Sequence, residues 1–217
     1  MDRIEKYILD YSSPEDLLMA ELERETHLRT VHHRMVSGHA QGKFLEMVTK
    51  MISPSRVLEI GTFTGYSALS IAAGLDEKAY IDTIEADEEL EDISSSFFSR
   101  SPYGNRIIQH LGSALNVAPR LGYTYGMIFI DGDKREYPDY YHMLLGDGDY
   151  RGKALVHAGS YILADNILWY GKVGDEANFN DPQTKGINEF NRLVAEDPRV
   201  ENIILPIRDG INLIRVK

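Results

Sequence analysis

The apolar positions change their period once along the chain. Over residues 1–52 they recur at helical spacing: Ile4, Tyr7, Ile8 and Tyr11, then Leu17, Leu18 and Leu22, then Phe44, Leu45, Val48, Met51 and Ile52. A step of three to four places such side chains on one helix face, so two or three helices are predicted here. Ser13, ahead of Pro14, Glu15 and Asp16, is the predicted cap of one of them, with the acids in its first turn. From Val57 onward, short apolar runs alternate with helical stretches. Val57, Leu58 and Ile60 form a first strand, followed by strands at 80–84, 106–111, 127–130 and 161–163. Helices are predicted at 67–73, 88–99, 116–121, 138–145 and 187–196, and a last strand pair at 203–206 and 211–216. Such alternation implies an α/β fold, a mostly parallel sheet covered on both faces, with ligands outside the carboxyl ends of its strands. Asp209-Gly210 is a hairpin turn, so the last two strands run antiparallel. The glycine-rich stretch 144–159 reads as a loop. It begins like a calcium loop, with Asp147, Asp149 and Gly152, but Ala158 stands where a bidentate glutamate is required, which excludes calcium there.

With 217 residues, 43% apolar and 26% charged, the whole chain (1–217) is expected to be one domain, residues 1–52 a helical cap and 53–217 the core. The absence of cysteine removes disulfides, thiolate metal sites and a cysteine nucleophile. The first residues lack the basic flank and apolar core of a signal peptide, and no stretch approaches the roughly 18 apolar residues of a membrane span. A cytoplasmic protein without a membrane partner is expected. A formal charge of −11 opposes the basic footprint that binding a phosphate backbone requires, which argues against nucleic acid as substrate.

Candidate chemistry sits where strands end. Gly61 and Gly65 follow the first strand as GxxxG, not the GxGxxG that packs a pyrophosphate against a helix, so a nucleoside ligand without phosphates fits better. Glu85 follows the second strand about twenty residues further on, where a carboxylate can accept both ribose hydroxyls; Asp87 remains free to cap the next helix. The fourth strand runs into Asp131-Gly132-Asp133-Lys134 and the fifth into Asp165-Asn166. Adjacent strand ends would gather Asp131, Asp165 and Asn166 into an all-oxygen set suited to Mg²⁺, Ca²⁺ or Mn²⁺. The segment with His32, His33 and His39 reads as a loop that could touch a ligand; its histidine spacing is not that of a zinc site.

Five motifs in this order resemble one family. They are Met35-Val36-Ser37 with Gln41-Gly42-Lys43-Phe44-Leu45; Glu59-Ile60-Gly61 through Gly65-Tyr66-Ser67; Phe129-Ile130-Asp131-Gly132-Asp133-Lys134; Asp165-Asn166-Ile167-Leu168-Trp169; and Asp197-Pro198-Arg199 leading to Leu205-Pro206 and Asp209-Gly210-Ile211. Over about residues 30–217 the sequence is similar to the cation-dependent class I O-methyltransferases that use S-adenosylmethionine, typified by caffeoyl-CoA O-methyltransferase, with catechol O-methyltransferase more distant. The resemblance implies a Rossmann-like, doubly wound, seven-stranded mixed sheet with extra N-terminal helices, and commonly a homodimer, for which Tyr7, Ile8 and Tyr11 offer an interface. It also implies that Met35, Ser37, Glu59, Gly61, Tyr66 and Ser67 line the methionine end of the cofactor, that Glu85 binds the ribose, and that Ser113 and Ala114 flank the adenine. Asp131, Asp165 and Asn166 match metal ligands, Lys134 the lysine that deprotonates the acceptor hydroxyl, and Trp169 an aromatic wall of the acceptor pocket. Gln41 replaces a glutamate usual in the plant enzymes, Glu85 an aspartate of many relatives, and Tyr170 a small polar residue beside the acceptor, while 146–153 looks like an insertion near the pocket.

The reaction so implied is methyl transfer from S-adenosylmethionine to one hydroxyl of a catechol-like small molecule. Three alternatives share the fold: an NAD-dependent oxidoreductase, which the missing GxGxxG disfavours; a non-catalytic nucleoside-binding module; and an RNA-directed methyltransferase, which the charge disfavours.

Overall fold

The computed structural model describes residues 3–175, 178 and 180–217. Three helices open it, α1 (Arg3–Asp10), α2 (Leu17–Arg29) and α3 (Gly38–Ile52). Then come β1 (Arg56–Ile60), α4 (Tyr66–Gly74), β2 (Tyr80–Glu85), α5 (Glu91–Arg100), β3 (Ile107–Leu111), α6 (Ala114–Val117), β4 (Tyr125–Ile130) and α7 (Tyr137–Leu145). The chain closes with β5 (Val156–Asp165), α8 (Pro182–Glu196), β6 (Val200–Leu205) and β7 (Ile211–Val216). The seven strands form one sheet in the order β3-β2-β1-β4-β5-β7-β6, parallel from β3 to β5 and antiparallel at β5/β7 and β7/β6. The connections reverse direction between β1 and β4, and such a switch point opens a crevice beyond the strand ends.

The central strands β1, β2 and β4 bury both faces. Leu58, Ile60, Ile128 and Ile130 pack with Tyr137, Tyr141, Ile187 and Phe190 from α7 and α8, the Phe190 ring meeting both tyrosines edge-on. Val57, Ile81, Met127 and Phe129 turn the other way, onto Leu22, Leu45, Leu69 and Ile71 of α2, α3 and α4. Because side chains alternate along a strand, Glu59 lies on this second face with Val57, opposite Thr83 in the register.

Four expectations about elements are corrected. The cap of α2 is Asp16, whose Oδ1 accepts from the Leu18 N–H at 2.8 Å; Ser13 lies outside the helix, its carbonyl bonded to the His39 ring. Asp16 stands beside the free N–H groups, and its charge complements the helix dipole. Second, β5 begins at Val156, inside the stretch read as loop. Its first half is mostly solvent-facing, holds Gly159 at φ +92°, and pairs irregularly with β4, so no apolar run marks it. Third, β6 starts at Val200: as an edge strand exposed over 201–204, its length is set by pairing with β7, not by burial. Fourth, α8 starts at Pro182, because Asp181 caps it through Thr184, although its first turn carries few apolar residues.

The segment 146–153 joins the end of α7 to the start of β5, at the sheet edge away from the carboxyl strand ends, and contributes nothing to the cavity described below. Arg199 ties it down through Asp147 at 2.6 Å. The expected insertion near the pocket is therefore remote from it.

Gly186 lets α8 lie against the turn that carries Lys134: a Cβ there would stand 2.3 Å from the Lys134 carbonyl oxygen. Gly186→Ala should force helix and turn apart and cost roughly 1–3 kcal/mol, as overpacking does, read as a lowered denaturant midpoint at unchanged m.

Candidate active site

A cavity of about 570 Å³ opens at the carboxyl ends of β1, β2, β4 and β5. Glu85 lies on one side, the Asp131–Lys134 turn and Asp165-Asn166 on its floor, and Trp169 and Tyr170 on the other side. A smaller pocket adjoins it, bounded by Met35, Ser37, Gly61, Tyr66, Ser67 and Asp131.

Sheet register brings the acidic residues together. Ile130 pairs with Ala164, so Asp131 and Asp165 leave neighbouring strands side by side. Asp165 is buried; burial first, and the Asp131 charge second, push its carboxyl above the ordinary carboxylate range. Hydrogen bonds from Gln41 (Nε2 to Oδ2, 2.5 Å) and from the Asn166 N–H (to Oδ1, 2.8 Å) favour its ionised form. Lys134 is 7% exposed, and its ammonium donates to Asp131 Oδ1 at 2.7 Å, the Gly132 carbonyl at 3.2 Å and the Tyr137 hydroxyl at 2.9 Å. Neighbouring Asp133 pairs with Arg135 and Glu136 accepts from Tyr140, so neither draws Lys134 away from the cavity. Tyr137 in turn points its hydroxyl at the Ile130 and Asp165 carbonyls, locking the two strand ends at 3.2 and 3.0 Å.

Asn166, Trp169 and Tyr170 have positive φ of 56°, 44° and 54°, a conformation costly outside glycine. The segment is held by hydrogen bonds from Leu168 N to the Asp209 carbonyl (3.0 Å) and from Tyr170 N to Asp209 Oδ1 (2.7 Å). Trp169 Nε1 reaches Asp181 at 3.4 Å, and Tyr170 is largely exposed.

An all-oxygen donor set of two carboxylates and one amide, in which the Asp131 charge adds to the cost of ionising Asp165, fits a hard divalent cation. Among the described residues no cluster of three or more His, Asp or Glu side chains has such a geometry, so Asn166 is needed to complete a set of three.

The positions expected at the cofactor divide. Glu85, Ser113 and Ala114 line the main cavity, although Glu85 already accepts from the Phe63 N–H (2.7 Å) and the Asp87 N–H (2.9 Å). Met35, Ser37, Gly61 and Ser67 border the smaller pocket. Gly61 has φ +99°, and a Cβ there would lie 2.3 Å from the Asp131 carbonyl oxygen, so the crossing of two strand ends by itself demands glycine. Gly65 likewise makes room for the Phe98 ring. Tyr66 turns its hydroxyl to Glu15, leaving only its ring at the pocket. Glu59 borders neither cavity: it is wholly buried under α4, where Oε2 accepts from Thr83 Oγ1 at 2.5 Å and Oε1 has no partner among the described residues.

Three contributors escaped the sequence. Tyr137, three residues past Lys134, Arg208, directly before Asp209-Gly210, and Gln183 all fall outside the motif residues themselves, yet they stand at the cavity or beneath its floor. The hairpin turn at Asp209-Gly210 was legible; that antiparallel pairing of Asp165 with Ile211 would bring its tip beside the acidic cluster was not.

A doubly wound seven-stranded sheet with this crevice defines the Rossmann-like class of methyltransferases, and the comparisons place the chain within it. The family model described as O-methyltransferase matches residues 9–217. The caffeoyl-CoA O-methyltransferase of Petroselinum crispum is 31% identical, the match covering 99% of this chain and 90% of that enzyme; caffeoyl-CoA O-methyltransferase 2 of Populus trichocarpa is 32% identical, over 99% and 88%. Among solved structures, the SAH complex of the Bacillus cereus O-methyltransferase superposes with a TM-score of 0.86 at 29% identity, covering 99% of this chain and 97% of that one. The SAH-bound Podospora anserina methyltransferase PaMTH1 gives 0.88 at 26% identity, over 100% and 94%. The chain belongs to the O-methyltransferase family and is an enzyme of the S-adenosylmethionine-dependent class. No described helix is long and apolar enough to cross a membrane.

Burial pushes the Glu59 carboxyl up to about 8, against the opposing hydrogen bond from Thr83. The folded protein thus holds a proton that the unfolded chain releases above about 4.5. Stability of the ligand-free protein should fall as pH rises from about 4.5 to about 8, by up to roughly 1.4 kcal/mol per pH unit. Urea unfolding of Glu59→Gln should lack that slope; parallel profiles for the two proteins would show that Glu59 is ionised when folded.

Proposed function

We propose that the enzyme transfers the methyl group of S-adenosylmethionine to one hydroxyl of a catechol-like small molecule, with a divalent cation (Mg²⁺, Ca²⁺ or Mn²⁺) held by Asp131, Asp165 and Asn166. The observation that carries this reading is the gathering of those three residues and Lys134 on the floor of the cavity whose far side holds Glu85. The identity to caffeoyl-CoA O-methyltransferases supports it. A cation bound there supplies Lewis-acid chemistry, favouring ionisation of an adjacent hydroxyl.

The chain's own groups divide the remaining work. Glu85 receives the ribose hydroxyls, with its two backbone N–H partners fixing the carboxylate plane, and Ser113 and Ala114 flank the adenine. Met35, Ser37, Gly61, Tyr66 and Ser67 bound the methionine end, the tyrosine by its ring alone. Glu59 acts from beneath, through the start of α4. Trp169 and Tyr170 wall the acceptor and hold its ring so that one hydroxyl faces the methyl donor, since alignment at near-contact distance supplies much of the rate. Lys134, held at Asp131, takes the hydroxyl proton, which requires that it reach the acceptor in its neutral form.

The whole chain works as one domain, residues 1–52 its cap, for Leu22 and Leu45 share the core with the sheet. A cytoplasmic homodimer is part of this reading, supported by the exposed Ile4, Tyr7 and Ile8 of α1 and Tyr11 just beyond it, and a charge of −11 argues against nucleic acid as a partner.

The test is methyl transfer from labelled S-adenosylmethionine to a panel of catechols. Chelator should abolish turnover and added Mg²⁺ or Mn²⁺ restore it. Asp165→Ala should be inactive, and Lys134→Ala should lower kcat by about 10²–10⁴. Full turnover of Lys134→Ala at every pH would remove the base assignment; product formation in chelator would remove the cation.

A further inference from the structure

Gln41 is 1% exposed, and its amide has a charged partner at each end. Nε2 donates to Asp165 Oδ2 at 2.5 Å, and Oε1 accepts from Arg208 Nη1 at 3.0 Å. An ionised carboxylate at this position could only accept and an ammonium only donate, whereas an amide does both; the carboxylate of Asp165 and the guanidinium of Arg208 admit one orientation of the amide between them. The same Nη1 also donates to the Val36 carbonyl at 3.1 Å and to the Ser37 carbonyl. Arg208 has φ +51° and belongs to the β6–β7 hairpin tip, where its neighbour Asp209 holds Tyr170 N at 2.7 Å. One turn therefore touches the loop at the smaller pocket, the acceptor wall and, through Gln41, the acidic floor.

We propose that Arg208 is a positioning residue which acts through Gln41 to fix the Asp165 carboxylate for cation binding. Gln41 occupies one lone pair of Oδ2 while the Asn166 N–H occupies one of Oδ1, so both oxygens retain a lone pair and the group cannot rotate without breaking a bond. Arg208 anchors the far end of the Gln41 amide, whose Oε1 it holds at 3.0 Å. Without that guanidinium the buried Oε1 loses its donor and the side chain its fixed position, so Nε2 is no longer held against Asp165 Oδ2. Glutamine at position 41 can donate to Asp165 while accepting from Arg208, which an ionised glutamate there could not do.

This inference rests on the cation reading above, and its test reads binding instead of turnover. Mn²⁺ affinity of the full-length protein, without cofactor or acceptor, is measured by calorimetry for wild type, Gln41→Ala, Arg208→Ala and the double variant. Gln41→Ala should weaken binding on the order of tenfold and Arg208→Ala by a smaller factor. The double variant should be no weaker than Gln41→Ala, because Arg208 has nothing to act through once the amide is gone. Arg208→Lys, which keeps one cationic donor, should recover part of the loss, a recovery that a generally loosened fold would not give. If Arg208→Ala fails to fold, the cycle run with Arg208→Met decides in the same way. Wild-type affinity in the arginine variant, or losses that multiply in the double variant, would overturn the relay alone. A wild-type protein that binds no Mn²⁺ and transfers methyl groups in chelator would overturn the cation reading and the relay with it.

Discussion

Asp131 and Asp165 end neighbouring parallel strands, and the repulsion between their carboxylates in a half-closed crevice is the constraint around which the surrounding structure is arranged. Left alone, such a pair is expensive, and Asp165 accordingly resists ionisation. Every group around it answers that cost. Lys134 is pinned to Asp131, Gln41 and the Asn166 N–H donate to Asp165, and the Tyr137 hydroxyl fixes the two strand ends from below. None of these donors neutralises both acids, which leaves a net negative floor that favours a cation.

Holding the acids there requires backbone to crowd backbone. Gly61 lets β1 cross against the Asp131 carbonyl, and Gly186 lets α8 press on the turn of Lys134; in each case a Cβ would arrive at 2.3 Å. The tyrosines and Phe190 between the sheet and α7–α8 are buried and packed edge to face, so the floor of the site sits on a rigid layer. The wall of the site is different in kind. Residues 166–171 run through three non-glycine positive-φ positions and are kept there by the hairpin at 208–210, which also reaches the loop of Val36 and Ser37. A single turn thus couples the loop of Val36 and Ser37 to the wall formed by Trp169 and Tyr170.

The sequence by itself determined most of the architecture, because the period of its apolar residues is a direct record of burial. Runs buried on both faces, such as 57–60 and 127–130, announced parallel strands, and the alternation with helices announced a mostly parallel sheet covered on both faces, while the doubly wound order came from the resemblance. Where burial is partial the record fails: the first half of β5, the exposed edge strand β6 and the polar first turn of α8 are set by hydrogen bonding to neighbours and by the Asp181 cap, which leave no apolar trace. The acids at strand ends were legible for the opposite reason, since charges following an apolar run have few structural excuses. Tertiary structure alone decided what each does with its partners. Glu59 looks from the chain like a residue of the cofactor turn, yet strand alternation sends it beneath α4, and the Tyr66 hydroxyl turns away to Glu15. The meeting of Gln41, Asp165 and Arg208, separated by 124 and 167 residues, follows from antiparallel register at β5/β7 and from the docking of α3, quantities that no local pattern encodes.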